Sequence, residues 1–164
     1  MSKAIRDIHI SEGRVGQENI PLSCSVADKS FKTEFSKGDR IKFCRNDYRK
    51  LGVSNGTLGT IESSRIAHSA DVELAVRADD GRTVSFLSSE YADDKGTHLC
   101  HSYALTVFSS QGITVDGNTF VLYSDGMERS NSYVALSRHK YESHMYINRS
   151  KRSEERRVRK GSKD

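Results

Sequence analysis

The stretch TFVLYSDGMERSNSYVALSRHKYESHMYIN, at residues 119–148, decides the fold of the C-terminal part of this chain. Apolar residues are concentrated at 119–124, which predicts a buried strand. They recur with helical spacing over 130–139, and a further apolar run follows at 145–148. Because a strand, a helix and a second strand alternate here, the stretch predicts a parallel sheet.

The middle of the chain shows a different pattern, in which polar and apolar side chains alternate one by one. A period of two is typical of antiparallel strands that are half buried. The dipeptides Asn55-Gly56 and Asp80-Gly81 accept the positive φ angles of tight turns. The alternating segments are 40–43, 72–77 and 83–86. Four or five short strands within about fifty residues predict a small SH3-like antiparallel β-barrel over 36–92.

The remaining segments complete a division of the chain into four parts. Residues 2–12 place apolar side chains at helical spacing ahead of Gly13, which predicts a short N-terminal helix. The stretch 16–37 has little periodicity and holds the only proline, so we expect a connector with one short strand near 31–35. The predicted parts are a helix and connector at 1–35, the barrel at 36–92, a sheet-containing region at 93–148 and a basic disordered tail at 149–164.

Charge is distributed unevenly along the 164 residues. The net charge is +4, but residues 149–164 alone carry eight basic and three acidic side chains. This tail lacks apolar periodicity, so it either contacts phosphates weakly or is simply solvated. No apolar run approaches the roughly 18 residues needed to cross a bilayer. We therefore expect a soluble, cytoplasmic monomer without membrane contact.

The cysteines and histidines give little sign of a bonded site. Cys24, Cys44 and Cys100 form no CxxC pair, and any disulfide scheme leaves one of them over, so reduced thiols are expected. His98, Cys100 and His101 fall within four residues. Structural zinc usually takes four ligands from paired short spacings, and no second pair stands out. We expect these side chains to pack within a strand and predict no metal.

Two short runs carry the functional information. YALTVFSSQG, at 103–112, predicts a short amphipathic helix that stops at Gly112 and leaves Gln111 free to reach a ligand. YVALSR, at 133–138, places Arg138 at the end of a helix anchored by packing. A fixed guanidinium suits a phosphate.

At these two runs the chain resembles the RecD-like branch of superfamily-one DNA helicases, and more closely the helicase region of TraA/MobA-type conjugative transfer relaxases. In that family an ALTVHKSQG-like motif precedes a YVALSRHR-like motif, and here the second motif continues through 137–140 as SRHK. GDRIKF at 38–43 and GVSNGTLGTI at 52–61 occur in the family's order. The resemblance covers roughly 36–148 and implies part of a RecA-like parallel-sheet lobe with the small barrel inserted.

The resemblance also implies roles for individual residues. Arg138 acts as an arginine finger on the nucleotide, beside Gln111 and Gly112. Thr106 and Ser110 contact a DNA phosphate, which positions the strand without reading its sequence. Each role has a plainer alternative. Arg138 is then a helix-end cation that interacts with the helix dipole, and Gln111 is a polar helix terminus. The hydroxyls of Thr106 and Ser110 then simply face solvent.

A basic stretch at 37–50 is a second candidate for DNA contact. Arg40, Lys42 and Arg45 belong to it, and two aromatic residues are interleaved with its cations, a mixture suited to phosphate pairing and base stacking. Arg40 and Lys42 share one strand face. The alternative is a solvated face of the barrel.

No phosphate loop ending in Gly-Lys-Ser or Gly-Lys-Thr occurs in the sequence. The resemblance therefore implies a helicase fragment that binds ATP with Mg²⁺ only within the full-length protein and does not hydrolyse it alone. Its expected partners are single-stranded DNA and the remaining helicase and relaxase domains. The family's His and basic residue are replaced by Phe108-Ser109, which weakens the expected coupling between DNA and nucleotide. The alternative is a non-hydrolysing DNA-binding or protein-docking module.

Overall fold

The computed structural model describes residues 2–67, 71–124 and 126–147, and the chain divides into two units, Met1–Ala104 and Leu105–Asp164.

The fold is mixed α/β and consists mostly of sheet. The elements of the first unit are α1 (Ser2–Ser11), β1 (Ile20–Val26), β2 (Lys29–Phe35), β3 (Arg40–Phe43), β4 (Leu58–Ile66), β5 (Val72–Ala78), β6 (Thr83–Leu87), a 3-10 turn (Ser88–Tyr91), β7 (Ala92–Asp93), β8 (Gly96–Thr97) and β9 (Leu99–His101). The elements of the second unit are a 3-10 turn (Phe108–Ser110), β10 (Thr119–Leu122), α2 (Arg129–Leu136) and β11 (Ser143–Tyr146). The division into four parts stays a prediction.

The strands of the first unit form two sheets. The larger has the strand order β6-β5-β4-β3-β9, and the smaller has the order β2-β1-β8-β7. All neighbours in the larger sheet are antiparallel, as the alternating pattern predicts. Its edge strands, β6 and β9, do not pair with each other. Among the described residues the sheet is therefore open, and the closed barrel predicted for 36–92 is not found.

The helix and most strands of the first unit follow the sequence prediction. The helix predicted at 2–12 is α1, and the alternating segments correspond to β3, β5 and β6. Gly56 and Gly81 have φ angles of 101° and 90°, so both predicted tight turns are confirmed.

The short strand predicted near 31–35 is confirmed as part of β2, but the rest of the connector predicted for 16–37 is wrong, because β1 pairs with β2 in a hairpin. The pairing runs without a shift from Ile20 opposite Phe35 to Val26 opposite Lys29. Ala27 and Asp28 both have positive φ angles, as a two-residue hairpin turn of right-handed twist requires. The sequence of β1 contains Pro21, and its buried and exposed residues do not alternate regularly, so it was not marked as a strand.

One hydrophobic cluster joins the two sheets, and it draws residues from strands β1 to β6 and from β9. The rings of Phe43, Phe86 and Tyr91 pack against one another with centroids 5.5 to 5.8 Å apart. Gly59 lets β4 lie close to β5, because a Cβ there would be 2.6 Å from the Val76 Cγ1 atom. Protein interiors are close-packed, so such an overlap forces the strands apart.

In the second unit, β10 and β11 pair in parallel from Thr119 opposite Ser143 to Leu122 opposite Tyr146, as the alternation of elements predicts. The prediction of a buried strand at 119–124 is wrong in its burial: β10 alternates between half-buried and exposed residues, and Phe120 is 67% exposed. The helix predicted at 130–139 is confirmed as α2, but it is shorter and spans Arg129–Leu136. The strand predicted at 145–148 is β11 at Ser143–Tyr146, and residue 148 lies outside the described residues.

The predicted tail at 149–164 also lies outside the described residues. Within the described ranges, no helix combines the length and the apolar character needed to span a membrane.

Candidate functional site

The first motif does not form the amphipathic helix predicted at 103–112. Its only helical turn is the 3-10 turn Phe108–Ser110. The Thr106 hydroxyl accepts a hydrogen bond from the Ser109 backbone N–H at 3.1 Å and donates one to Ser109 Oγ at 2.9 Å. The Ser110 hydroxyl donates to the Val107 carbonyl at 2.7 Å. Hydroxyl side chains that bond to nearby backbone in this way compete with a helix, which is why the helix does not develop.

Gln111 and Gly112 end this turn in an exposed position. The Gln111 backbone N–H donates to the Phe108 carbonyl at 3.3 Å, and its own backbone is already extended. Gly112, the last residue of the motif, has a φ angle of 78°, so the positive φ predicted for this glycine is confirmed. The Gln111 carboxamide makes no hydrogen bond to any residue that the structure describes, which leaves its donor and acceptor free.

Arg138 lies two residues beyond the end of α2, and its guanidinium is held by that helix. Its Nε donates to the Val134 carbonyl at 3.0 Å, and its Nη2 donates to Ser137 Oγ at 2.9 Å. The side chain is half buried. In the described part of the chain it forms no ion pair with a carboxylate. The guanidinium is thus fixed in place but not neutralised, and its Nη1 remains available.

The two motifs belong to neighbouring segments of the second unit. The Val115 N–H, three residues after Gly112, donates to the Arg138 carbonyl at 2.7 Å. The Lys140 N–H donates to the Val115 carbonyl at 3.1 Å, which completes a parallel bridge between the two segments. Helix α2 also packs against the 3-10 turn of the first motif. The segments that follow the two motifs are therefore tied together by backbone hydrogen bonds.

The three basic residues of the first unit that were predicted to contact DNA differ in whether their charge is already paired. Arg40 and Lys42 share the half-exposed face of β3. Arg40 is bound to both Asp79 carboxylate oxygens, at 2.6 and 2.8 Å, and to Thr60 Oγ1 at 3.0 Å. The hydrogen bonds that Arg40 donates to Asp79 raise the pKa of Arg40, against the effect of burial. Lys42 makes no ion pair within the described ranges.

Arg45 lines an open pocket of about 250 Å³. Its Nη1 lies 3.0 Å from His98 Nε2. Because a guanidinium can only donate, His98 accepts at Nε2 and carries its proton on Nδ1, which faces the Ser25 carbonyl at 3.4 Å. The pocket is lined by Arg45, Asn46, Asp47, Glu90, Tyr91, Ala92 and His98.

A buried carboxylate that the sequence did not indicate lies at Asp39, in the GDRIKF block. Its side chain is 0% exposed and accepts hydrogen bonds from Arg6 Nε at 2.8 Å, from the Tyr103 hydroxyl at 2.6 Å and from the Ser36 N–H at 2.8 Å. Burial alone would raise the pKa of Asp39, but the nearby His101 and the hydrogen bonds from Arg6 and Tyr103 outweigh it and hold the pKa well below its ordinary value. Asp39 thus ties α1 and β3 to Tyr103, the first residue of the first motif.

The cluster His98, Cys100 and His101 does not converge on one point. His98 faces Arg45, and His101 Nε2 lies 3.5 Å from a carboxylate oxygen of Asp39. The Cys100 Sγ lies 3.3 Å from Cys44 Sγ, and both thiols are free. The hydrogen bond from Cys44 lowers the pKa of Cys100 to about 7.

Comparison with known proteins supports the resemblance to helicases of conjugal transfer proteins. Residues 17–147 match the family model described as the viral superfamily 1 RNA helicase core domain. The conjugal transfer protein TraA of Rhizobium radiobacter is 32% identical over 141 residues, and a probable TraA of Sinorhizobium fredii is 35% identical over 146 residues. Each alignment covers 86% of this chain but only 12% of the relative.

The TraA of Agrobacterium fabrum is 34% identical over 112 residues, which are 68% of this chain and 9% of that protein. The chain thus spans about one eighth, or 12%, of the length of the first two relatives. With the family model matching most of its residues, the chain belongs to the superfamily 1 helicase core-domain family and is similar to a region of TraA-type conjugal transfer proteins.

Proposed function

We propose that this chain supplies the late motifs of the second motor lobe of a RecD-like DNA helicase within a conjugative relaxase. Joined to the rest of that protein, it takes part in ATP-driven movement along single-stranded DNA. The observation that carries the proposal is the fixed, unneutralised guanidinium of Arg138 on a segment bonded to the one that follows Gln111 and Gly112. A cation and a free carboxamide suit the oxygens of a triphosphate.

The chemistry of the donors fits a nucleotide. ATP with Mg²⁺ would supply the phosphoanhydride, and most of its binding would come from a phosphate loop elsewhere in the parent protein. Within this chain, the hydrogen bonds of Arg138 Nε and Nη2 to its own helix fix the plane of the guanidinium. Its Nη1 would be available to donate to a bound triphosphate, and a cation that is already fixed stabilises developing charge without reorganisation.

The proposed DNA contacts come from both units. In the first motif, the hydroxyls of Thr106 and Ser110 already donate within the turn, so each has to give up that bond before it can donate to a phosphate oxygen, which only accepts. Arg40 is neutralised by Asp79. Lys42 and Arg45 are therefore the stronger candidates among the basic residues. We also propose that the two sheets of the first unit correspond to an SH3-like module inserted in the lobe.

The test is ATP hydrolysis by the full-length parent protein in the presence of single-stranded DNA. Arg138→Ala should lower turnover by roughly 10³-fold or more if the guanidinium acts on the transferring phosphoryl group. Arg138→Gln keeps a donor for the Val134 carbonyl but removes the charge, so it should be equally impaired while retaining the fold. Arg129→Ala, at the exposed first turn of the same helix, is the matched control. Unchanged turnover in both Arg138 variants would eliminate the finger role.

A second candidate is a non-hydrolysing DNA-binding or docking module. It is favoured by the way Arg138 caps its own helix, since that bond needs no ligand to explain it. A parent protein that binds single-stranded DNA but shows no DNA-dependent ATP hydrolysis would support this alternative.

A further inference from the structure

The loop between β3 and β4 presents an aromatic side chain and two cations together at the surface. This Tyr48 loop, residues 47–53, is closed by reciprocal backbone hydrogen bonds between Asp47 and Val53, at 2.9 and 3.0 Å. The Asp47 carboxylate accepts the Lys50 backbone N–H at 2.9 Å. The Gly52 carbonyl accepts a hydrogen bond from the Arg82 side chain at 3.2 Å. The loop is thus braced at its base and along its length.

The side chains at the tip of the loop are left without partners. Tyr48 is 70% exposed, and Arg49 and Lys50 are also exposed. Neither Arg49 nor Lys50 forms an ion pair with any carboxylate of the described ranges. A tyrosine ring so far out of the core gains nothing from the burial that normally accounts for an aromatic residue.

The other aromatic residue of the basic stretch is accounted for by packing. Phe43 is fully buried in the core of the first unit, so it cannot stack on a base. Arg40 is held by Asp79. The exposed ring of the stretch and two of its unpaired cations, Arg49 and Lys50, therefore lie together in the Tyr48 loop.

We propose that the Tyr48 loop binds single-stranded nucleic acid, with Tyr48 stacking on a base and Arg49 and Lys50 contacting the flanking phosphates. An exposed aromatic ring beside cations is the combination that binds single strands without reading their sequence, because every base has a stacking face. Bracing by Asp47 and Arg82 lowers the ordering cost of binding. The inference rests on the proposed contact of this chain with DNA and gives that contact a site.

The experiment measures binding of the full chain to a fluorescently labelled oligothymidine by anisotropy. Tyr48→Ala should weaken binding by roughly 5- to 140-fold, the range for loss of one stacked base. Tyr48→Phe keeps the ring and should bind within about twofold of the wild type. Tyr141→Ala is the matched control, because Tyr141 is also 70% exposed but lies in the second unit.

Salt titration tests the two cations separately from the ring. Each phosphate contact on a single strand contributes about 0.7 to the slope of log binding constant against log salt concentration. Replacing Arg49 and Lys50 together by Ala should therefore reduce that slope by about 1.4, while Tyr48→Ala should leave it nearly unchanged.

Three outcomes would overturn the inference. Wild-type affinity in Tyr48→Ala, with binding lost instead in Arg40→Ala plus Lys42→Ala, would move the site to β3 and leave the proposed function intact. Tighter binding of duplex than of single strand would exclude base stacking. If the wild-type chain binds no oligonucleotide even at low salt, the proposed DNA contact of this chain fails as well, whereas the ATPase assay on the parent protein still tests Arg138.

Discussion

Removing the Asp39 carboxylate should destabilise the first unit more than removing any exposed acidic group. Asp39→Ala leaves the Arg6 guanidinium, whose side chain is only 11% exposed, without its counter-ion, and it leaves the Tyr103 hydroxyl and the Ser36 N–H without an acceptor. Loss of one partner of a buried ion pair costs about 3–5 kcal/mol. Arg6 Nη2 keeps Asn19 and Ser36 as acceptors, so we expect the lower end, about 3 kcal/mol.

Asp79→Ala is the control for this prediction, because it removes a carboxylate from an equally well-formed arginine pair at the surface. Asp79 and Arg40 are 51% and 32% exposed, and an exposed pair contributes at most about 1 kcal/mol. Urea unfolding followed by circular dichroism measures both variants. With a urea dependence of about 1–3 kcal/mol per molar, Asp39→Ala should shift the midpoint by at least about 1 M. Equal shifts in the two variants would refute the assignment of Asp39 as the central buried charge.

Two further predictions concern protons and electrons. The pKa of Asp39 is depressed in the folded state. Its contribution to the free energy of unfolding is therefore complete above the unfolded pKa of about 3.9 and is lost as the pH falls from there towards the folded pKa. Urea midpoints measured against pH should show this loss. Hydrogen peroxide should oxidise Cys44 and Cys100 to one disulfide, because their sulfur atoms are 3.3 Å apart. The two thiols lose their hydrogens, and the peroxide is reduced to two water molecules. Peptide mapping by mass spectrometry identifies the bond.

Matched variants decide both of these outcomes. In Asp39→Asn the acid limb of the stability curve should flatten, and an unchanged limb would assign the acid loss to other carboxylates. For the thiols, Cys44→Ser should abolish the cross-link. Cys24→Ser should leave it intact, because the buried Cys24 thiol has its pKa raised to about 12 by burial and reacts slowly. A peroxide-treated wild type that retains all its free thiols would contradict the prediction.

Local patterns in the sequence predicted the parts of the fold that depend on neighbouring residues. Alternation found β3, β5 and β6, and the Asn-Gly and Asp-Gly pairs found their turns, since the side-chain period and the φ preference of glycine act over a few residues. Strand β1, and with it the hairpin β1–β2, was missed because it contains Pro21 and its buried and exposed residues do not alternate regularly. The helix at 103–112 was predicted wrongly because the hydroxyls of Thr106 and Ser110 bond to the local backbone.

The sequence singled out the two motifs of the candidate site but not the contacts of their residues. The motif residues Gln111 and Arg138 were found from the order of short runs, yet their roles stay predictions. The Asp39 cluster could not be foreseen, because its partners Arg6 and Tyr103 lie 33 and 64 residues away in the chain. Pairings over such distances follow from the fold as a whole, and no local pattern encodes them.

The open two-stranded sheet of the second unit has a consequence for handling the purified chain. Phe120 and Leu122 on β10 and Tyr146 on β11 face solvent, and apolar sheet surfaces of this kind promote self-association. Sulfate or phosphate strengthens apolar association, whereas raising the concentration of any salt weakens the binding of phosphate backbones. Salt titrations of nucleic-acid binding should therefore use a chloride salt and dilute protein, which keep self-association low. Turbidity from self-association is then not mistaken for a change in binding affinity.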